Sequence, residues 1–200
     1  MSKQYDEEYF TSSNYSNYLE RRDRYISLAR ELIETLSRIG VVSTDDVILD
    51  YGCAIGFLME GIRDMGYHKI YGYDISEWAI AQAKDKGLNI VDELGACDVL
   101  VALDVFEHMP DVDILNVLDD CDADVLVGRI PCADSNQSDF YLDISRQDDT
   151  HINCKDKASW LSLLSGAGYD TVLPLNLYTI YDSKGVMSFV ALHKDSRFLY

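Results

Sequence analysis

The chain has 200 residues, 48% of them hydrophobic, enough for one domain with a sizeable core. Acidic residues outnumber basic ones 35 to 17, the net charge is −18, and no basic patch relieves it, which excludes nucleic-acid phosphates and anionic membranes as partners. The cysteines at 53, 97, 121, 132 and 154 include no Cys-x-x-Cys, so neither a structural zinc nor a disulfide framework is expected, and a reducing cytoplasm is the simplest location.

Residues 1–8 contain no apolar h-region, so a secretion signal is not expected, and no run approaches the length of a membrane-spanning helix. Residues 1–25 are rich in tyrosine, at 5, 9, 15, 18 and 25. Between residues 18 and 39 apolar side chains recur at spacings of three and four, through Leu19, Tyr25, Ile26, Leu28, Leu32, Ile33 and Leu36. That periodicity predicts a helix closed by Gly40. The tyrosines read first as packing and surface cover, and second as a lid over a ligand.

Residues 47–56, Val-Ile-Leu-Asp-Tyr-Gly-Cys-Ala-Ile-Gly, are the most informative segment. An apolar run with a β-branched start predicts a buried strand. It ends in an acid, Asp50, and enters a loop with glycines at 52 and 56, followed by an amphipathic stretch over 57–65. A strand, a glycine-rich turn and a helix N-terminus form a nucleotide-binding corner, with free N–H groups at its centre. A dinucleotide fingerprint would place glycines at 54 and 57, which are Ala and Phe; a Walker loop would follow Gly56 with Lys-Ser/Thr, and Phe57-Leu58 stand there. The remaining ligand is a nucleoside without phosphates.

Residues 69–74 predict the next strand, ending in Asp74, placed to accept both ribose hydroxyls. A third strand over 88–91 ends at Asp92-Glu93, and a fourth over 98–103 ends at Asp104. Acids thus stand at the C-terminal ends of successive strands, where open α/β sheets bind ligands. A fifth strand covers 124–130. Residues 132–156 are polar, with Phe140-Tyr141-Leu142 as an apolar anchor, and are long for a connection, which favours a functional loop. A helix over 157–165 and strands over 171–181 and 186–193, joined by a turn at 182–185, complete the chain. The alternation predicts an α/β fold with a doubly wound, mostly parallel seven-stranded sheet.

Three segments in this order resemble the class I S-adenosylmethionine-dependent methyltransferases: residues 47–56, residues 71–76 (Tyr-Gly-Tyr-Asp-Ile-Ser), and residues 97–109, which contain Leu103-Asp104-Val105-Phe106-Glu107-His108. The resemblance implies a Rossmann-like fold with an antiparallel C-terminal edge. It implies a single domain, with lid helices in 1–44, a cofactor-binding core in 45–131, a substrate loop in 132–156, and a C-terminal helix and strands in 157–200. It assigns S-adenosylmethionine, and its product S-adenosylhomocysteine, to Asp50, Tyr51, Gly52, Cys53, Gly56, Asp74, Ile75, Asp92 and Leu103. The chain departs from the pattern at Ala54, where many members have a third glycine. Asp104-Val105-Phe106-Glu107 also replaces the Asn/Asp-Pro-Pro-aromatic pattern of enzymes that methylate base amino groups.

Methyl transfer to a hydroxyl needs alignment and a base. Histidine suits that role. His68 and His193 are expected at the surface. His108 lies just past the fourth strand. His151, in the polar loop, falls in Asp149-Thr150-His151, which with Ser159-Trp160-Leu161 resembles family branches that methylate hydroxyls of small metabolites and sugars. The resemblance places that loop at the methyl end of the cofactor. The candidate catalytic residues are therefore His151, Asp104 and His108, with His151 as general base. A divalent ion held by Asp104, Glu107, His108, Asp149 and His151 is the rival account; no local ligand spacing demands it, and no metal is expected. The expected activity is O-methylation of a small-molecule or glycan acceptor. The alternatives are a protein methyltransferase with a basic target and a cofactor-binding, non-catalytic assembly partner.

Overall fold

The computed structural model describes residues 5–11, 18–135 and 138–199. Tyr15 lies outside them. The chain divides into two compact units, Met1–Glu93 and Leu94–Tyr200.

The first unit begins with α1 (Glu7–Thr11) and a 3₁₀ turn, Tyr18–Arg21, that leads into α2 (Arg22–Arg38). The expected periodicity is realised: Leu28, Ala29, Leu32, Ile33 and Leu36 form the buried stripe of α2. Gly40, at φ 79°, ends it in the left-handed region that favours glycine. Strand β1 (Ile48–Tyr51) is buried at all four positions and pairs in parallel with β2 (Ile70–Tyr73), Asp50 opposite Gly72. Helix α3 (Phe57–Asp64) presents Gly61 to Ala29 and Ile26 of α2; a Cβ there would come within 2.5 Å of the Ala29 Cβ. A Cβ on Gly72 would come within 2.5 Å of the Met59 sulfur and 2.7 Å of the Cys53 sulfur, so glycine lets α3 and the turn before it pack on β2. Helix α4 (Glu77–Asp85) follows, capped by Ser76.

The strand expected at 88–91 does not form. Ile90 makes one isolated parallel bridge to Gly72, with Gly72 N–H donating to the Asn89 carbonyl and Val91 N–H to that of Gly72. Gly87, at φ 69°, turns the chain just before it, and Leu88 is drawn inward against Gly56, so too little extended chain remains for a ladder. Among the described residues six strands are formed, where seven were expected.

The second unit holds β3 (Val99–Leu103), β4 (Val125–Pro131), β5 (Thr171–Pro174) and β6 (Val186–Leu192). β3 and β4 run parallel; β6 is antiparallel to both β4 and β5. The antiparallel C-terminal edge is thus present, although β5 is shorter than expected: it ends at Pro174, beyond which Leu175 N–H still donates to the Ser188 carbonyl at 2.8 Å. Gly128 on β4 stands opposite Phe189 on β6, whose ring occupies the space a Cβ would take, 2.2 Å away. Helices α5 (Asp111–Cys121), α6 (Asp143–Arg146) and α7 (Lys157–Gly166) complete the unit. Trp160 and Tyr169 are fully buried, and the Tyr169 hydroxyl donates to the Ala123 carbonyl at 2.9 Å. The result is a mixed α/β fold. No helix is long and apolar enough to cross a membrane among the described residues.

Candidate functional site

The glycine-rich turn of the first unit is organised by Asp74. Its Oδ2 accepts a hydrogen bond from Ala54 N–H at 2.7 Å and its Oδ1 one from Ser76 N–H at 2.8 Å. The Ile75 N–H also bonds this carboxylate, and of its about four acceptor positions about one remains for a ligand. Burial pushes the Asp74 carboxyl up, and the backbone N–H groups oppose that shift. The Gly52 and Cys53 N–H groups both donate to the Tyr73 carbonyl, which ties the turn to the end of β2. Gly52, Ala54 and Gly56 all have positive φ, at 76°, 49° and 81°. Ala54 therefore occupies a conformation that costs an L residue energy, and the Asp74 hydrogen bond holds it. Gly56 caps α3 with no side-chain partner; a Cβ on it would meet Leu88 Cδ1 at 2.2 Å, so this glycine serves packing as well as the turn.

Asp50 lies under this turn, 4% exposed, and burial followed by the nearby Asp74 charge pushes its carboxyl up to about 7. Tyr51 stacks on Tyr73 with ring centroids 5.4 Å apart. Burial pushes the Cys53 thiol far above its ordinary range, so it is no nucleophile. Ile75 is exposed, 59%, and Asp92 is solvent-facing, 3.6 Å from Lys84. The N-terminal aromatics pack on the turn: Phe10 and Tyr18 are buried with Ala54, Ile55, Phe57 and Ala79, with Tyr5, Tyr9, Tyr25 and Trp78 against them. Burial raises the Tyr18 phenol well above its usual value, with Tyr25, Asp50 and Asp74 adding to it. The Ser76 hydroxyl, which accepts from Ala79 N–H, donates to the Tyr5 carbonyl at 2.5 Å and fastens this cover down. That tether was invisible in the sequence, because it joins residues 71 apart.

The second unit builds a histidine cluster. β3 ends at Leu103, and Asp104 follows at φ 55°. The Asp104 carboxylate is engaged by Arg129, whose Nε donates to Oδ1 at 2.8 Å and whose Nη2 donates to Oδ2. This predicted catalytic acid is therefore ion-paired with β4 and not joined to a histidine. A 3₁₀ turn, Phe106–His108, then buries Phe106 and Glu107. His108 closes that turn; it does not start α5, which begins at Asp111 after Pro110. The Glu107 carbonyl accepts from both Ile152 and Asn153 N–H at 2.9 Å, and this clamp brings His151 beside Glu107 and His108.

The two imidazole rings lie 4.6 Å apart, and Phe140, the apolar anchor of the loop, packs on His151 at 5.2 Å. His151 Nδ1 donates to the Ser145 carbonyl at 2.9 Å. A carbonyl only accepts, so Nδ1 carries a proton, and in the neutral imidazole the lone pair is on Nε2. His108 Nδ1 donates to the Thr150 carbonyl at 3.1 Å and meets the Thr150 hydroxyl at 2.9 Å. That hydroxyl donates to Asp148 at 2.5 Å, so His108 Nε2 likewise keeps its lone pair. Glu107 Oε1 lies 4.0 Å from His108 Nε2 and 3.9 Å from His151 Nε2; Asp148 Oδ2 lies 3.7 Å from His151 Nε2. Burial drives the Glu107 carboxyl well above its ordinary range and drives His108 down, with His151 adding to the latter. Asp149 is exposed; the loop carboxylate at the cluster is Asp148, which sequence reasoning missed because adjacent acids in a loop carry no signal of which turns inward. His68 is exposed as expected, and His193 is half-buried against Tyr169, 5.3 Å away.

A family model described as "Methyltransferase domain" matches residues 18–173. A search of curated proteins finds no match. Among solved structures, this chain is similar to the magnesium protoporphyrin IX methyltransferase of Synechocystis PCC 6803 with bound S-adenosylmethionine: TM-score 0.60, 16% identity, 92% of this chain and 93% of that chain covered. It is similar to a S-adenosylmethionine-dependent methyltransferase from Archaeoglobus fulgidus, with TM-score 0.62, 17% identity, and 88% and 99% covered. It also resembles a chain of the complex between the Haloferax volcanii Trm112 methyltransferase activator and a proposed methyltransferase, at 0.64, 13%, 88% and 92%. Likeness at such identities carries the fold.

Proposed function

The chain belongs to the methyltransferase-domain family, and from that premise we propose that it transfers a methyl group from S-adenosylmethionine to a hydroxyl of a small metabolite or sugar. The carrying observation is Asp74. It is a half-buried carboxylate just past β2 that orders the glycine turn by accepting from backbone N–H groups and keeps acceptor capacity for a ribose hydroxyl. The residues fit the cofactor: α3 opens at Gly56 without a side-chain cap, and the turn is neutral enough, with Asp50 protonated at or below neutrality, for an uncharged nucleoside. Asp50, Tyr51, Gly52, Cys53, Gly56, Asp74, Ile75, Asp92 and Leu103 are the positions assigned to it. When bound, S-adenosylmethionine supplies an electrophilic methyl group on a sulfonium sulfur.

The chain's own part is to hold the acceptor and move its proton. His151 Nε2, its lone pair exposed by the Nδ1 bond to Ser145, is the base we assign. Glu107 and Asp148, 3.9 and 3.7 Å from that nitrogen, favour the imidazolium that forms. His108 positions it through Thr150, whereas Asp104 is paired with Arg129 and joined to neither imidazole. The acidic surface also fits a protein acceptor with a basic target segment, but the enclosed histidine cluster favours a small acceptor.

Calorimetry checks the premise. S-adenosylhomocysteine is expected to bind at micromolar affinity and NAD far more weakly; NAD binding tighter than S-adenosylhomocysteine overturns the reading. Labelled S-adenosylmethionine with fractionated cell extract then identifies the acceptor by the label in a small, alkali-stable ether fraction. Label recovered in protein instead overturns the acceptor class.

A further inference from the structure

His151 is held by two contacts that reach it from one short segment of the polar loop. Its Nδ1 donates to the Ser145 carbonyl at 2.9 Å, and its ring centroid lies 5.2 Å from that of Phe140. Neither contact comes from a long helix or a strand. Ser145 stands in α6 (Asp143–Arg146), a single helical turn. So short a turn does not hold itself in water, because fixing its dihedrals costs more than its few hydrogen bonds return. The direction of the Ser145 carbonyl is therefore set by a tie to something outside the turn.

Arg146 makes that tie. Its Nη1 donates to the Phe140 carbonyl at 2.6 Å and to the Tyr141 carbonyl at 3.2 Å, and its Nη2 donates to the Asp143 carboxylate. Phe140 and Tyr141 are themselves anchored. Phe140 is buried and forms an antiparallel bridge with Ala133, and Tyr141 N–H donates to the Cys132 carbonyl at 2.9 Å, just past β4. The guanidinium thus fastens the residue after Ser145 to the backbone that carries the Phe140 ring, so one side chain governs both contacts of His151. A planar fork with five N–H groups holds two carbonyls and a carboxylate at once, whereas an ammonium group on a flexible stem has no such fixed geometry. The Asp143 contact contributes least, since that side chain is 80% exposed.

We propose that Arg146 is a positioning residue that selects the Nδ1–H tautomer of His151 through the Ser145 carbonyl and the Phe140 ring. A neutral histidine that takes a proton at Nε2 must carry its own on Nδ1. Which nitrogen carries it is set by the hydrogen bond the ring makes. With the Ser145 carbonyl displaced, that selection is lost and Nε2 is protonated in part of the molecules. The effect on rate rests on His151 being the base of the O-methyl transfer proposed above; the effect on the tautomer does not.

The test compares the full chain with Arg146→Ala and Arg146→Lys, each ¹⁵N-labelled at histidine, by nuclear magnetic resonance at a pH where the imidazoles are neutral. His151→Gln identifies the His151 resonances. In the parent, His151 is expected to show a protonated Nδ1 and an unprotonated Nε2. In Arg146→Ala the Nε2–H form should appear, and Arg146→Lys should fall between. Turnover of labelled S-adenosylmethionine on the extract fraction that accepts label should fall roughly 10–100-fold in Arg146→Ala, the scale of losing a partner that orients a functional imidazole. The KM for S-adenosylmethionine and the affinity for S-adenosylhomocysteine should not change. An Nε2–H tautomer in the parent overturns the role of Arg146, as does an Arg146→Ala variant that binds S-adenosylhomocysteine and keeps the parental tautomer. If Arg146→Ala does not fold, Arg146→Lys decides: a mixed tautomer supports the role and the parental one overturns it. A shifted tautomer with parental turnover supports Arg146 as the positioning residue and overturns His151 as the base. A parent that never transfers methyl overturns the functional reading, and the tautomers still decide the role of Arg146.

Discussion

Asp74 serves the structure through its backbone partners and, in the function proposed, the ligand as well. It holds Ala54 in a left-handed conformation through one oxygen and Ser76 through the other. Asp74→Ala is expected to weaken S-adenosylhomocysteine binding by about 1.5–3 kcal/mol, the scale of hydrogen bonds to a charged group. Asp74→Asn should cost less, because one acceptor oxygen survives. Calorimetry on both variants decides the matter: if each binds like the parent, the ribose is held elsewhere. The importance of Asp74 was legible in its spacing from Gly56. Its bond to Ala54 was not, since that depends on the register of β1 and β2, which sets Tyr51 opposite Tyr73 and so brings both strand ends level.

At the level of elements, the N-terminal aromatic cover depends on a single cap. Ser76 begins α4 by accepting from Ala79 N–H and holds the α1 segment by donating to the Tyr5 carbonyl. Ser76→Ala removes both bonds from a fully buried position and should lower stability by about 1–2 kcal/mol. Limited proteolysis should cut residues 5–11 faster in the variant. Equal cleavage rates in parent and variant would show that aromatic packing alone holds the segment, through contacts such as Phe10 stacked on Trp78 at 5.4 Å. The long polar loop is an element of another kind. It was marked by its length and polarity, but its order comes from Phe140 buried beneath it and from the Glu107 carbonyl that clamps Ile152 and Asn153.

For the molecule as a whole, buried acids set the response to pH. The folded protein keeps the Asp50 proton up to about pH 7, whereas the unfolded chain loses it near pH 4. Between those values the native state binds more protons than the unfolded state, so stability falls as pH rises through that window and levels off above it. Glu107, also shifted upward, acts in the same direction. At 1.36 kcal/mol per pH unit the Asp50 contribution reaches about 4 kcal/mol at most. Asp50→Asn should therefore gain in Tm relative to the parent as pH is raised from about 4.5 to 7.5, in the absence of ligand. A parent and variant with parallel Tm profiles would place the Asp50 charge in a better-solvated environment than its 4% exposure implies.

By itself the sequence determined the family, most of the order of strands and helices, and the Asp50–Gly56 turn with Asp74, and it singled out His108 and His151, which the fold brings together. These are local signals: hydrophobic period, glycine spacing and the residue type at a strand end. It overstated one strand, because a short apolar run at 88–91 looks the same whether it pairs along its length or at Ile90 alone. Only the tertiary structure decided that Asp104 pairs with Arg129, that Asp148 and not Asp149 turns inward, and that the Glu107 carboxyl is buried beside two imidazole nitrogens with no hydrogen bond among the described residues. Those facts join residues 25 to more than 40 positions apart, and no periodicity records them. They arise where backbone clamps bring distant loops together, and no local pattern encodes such clamps.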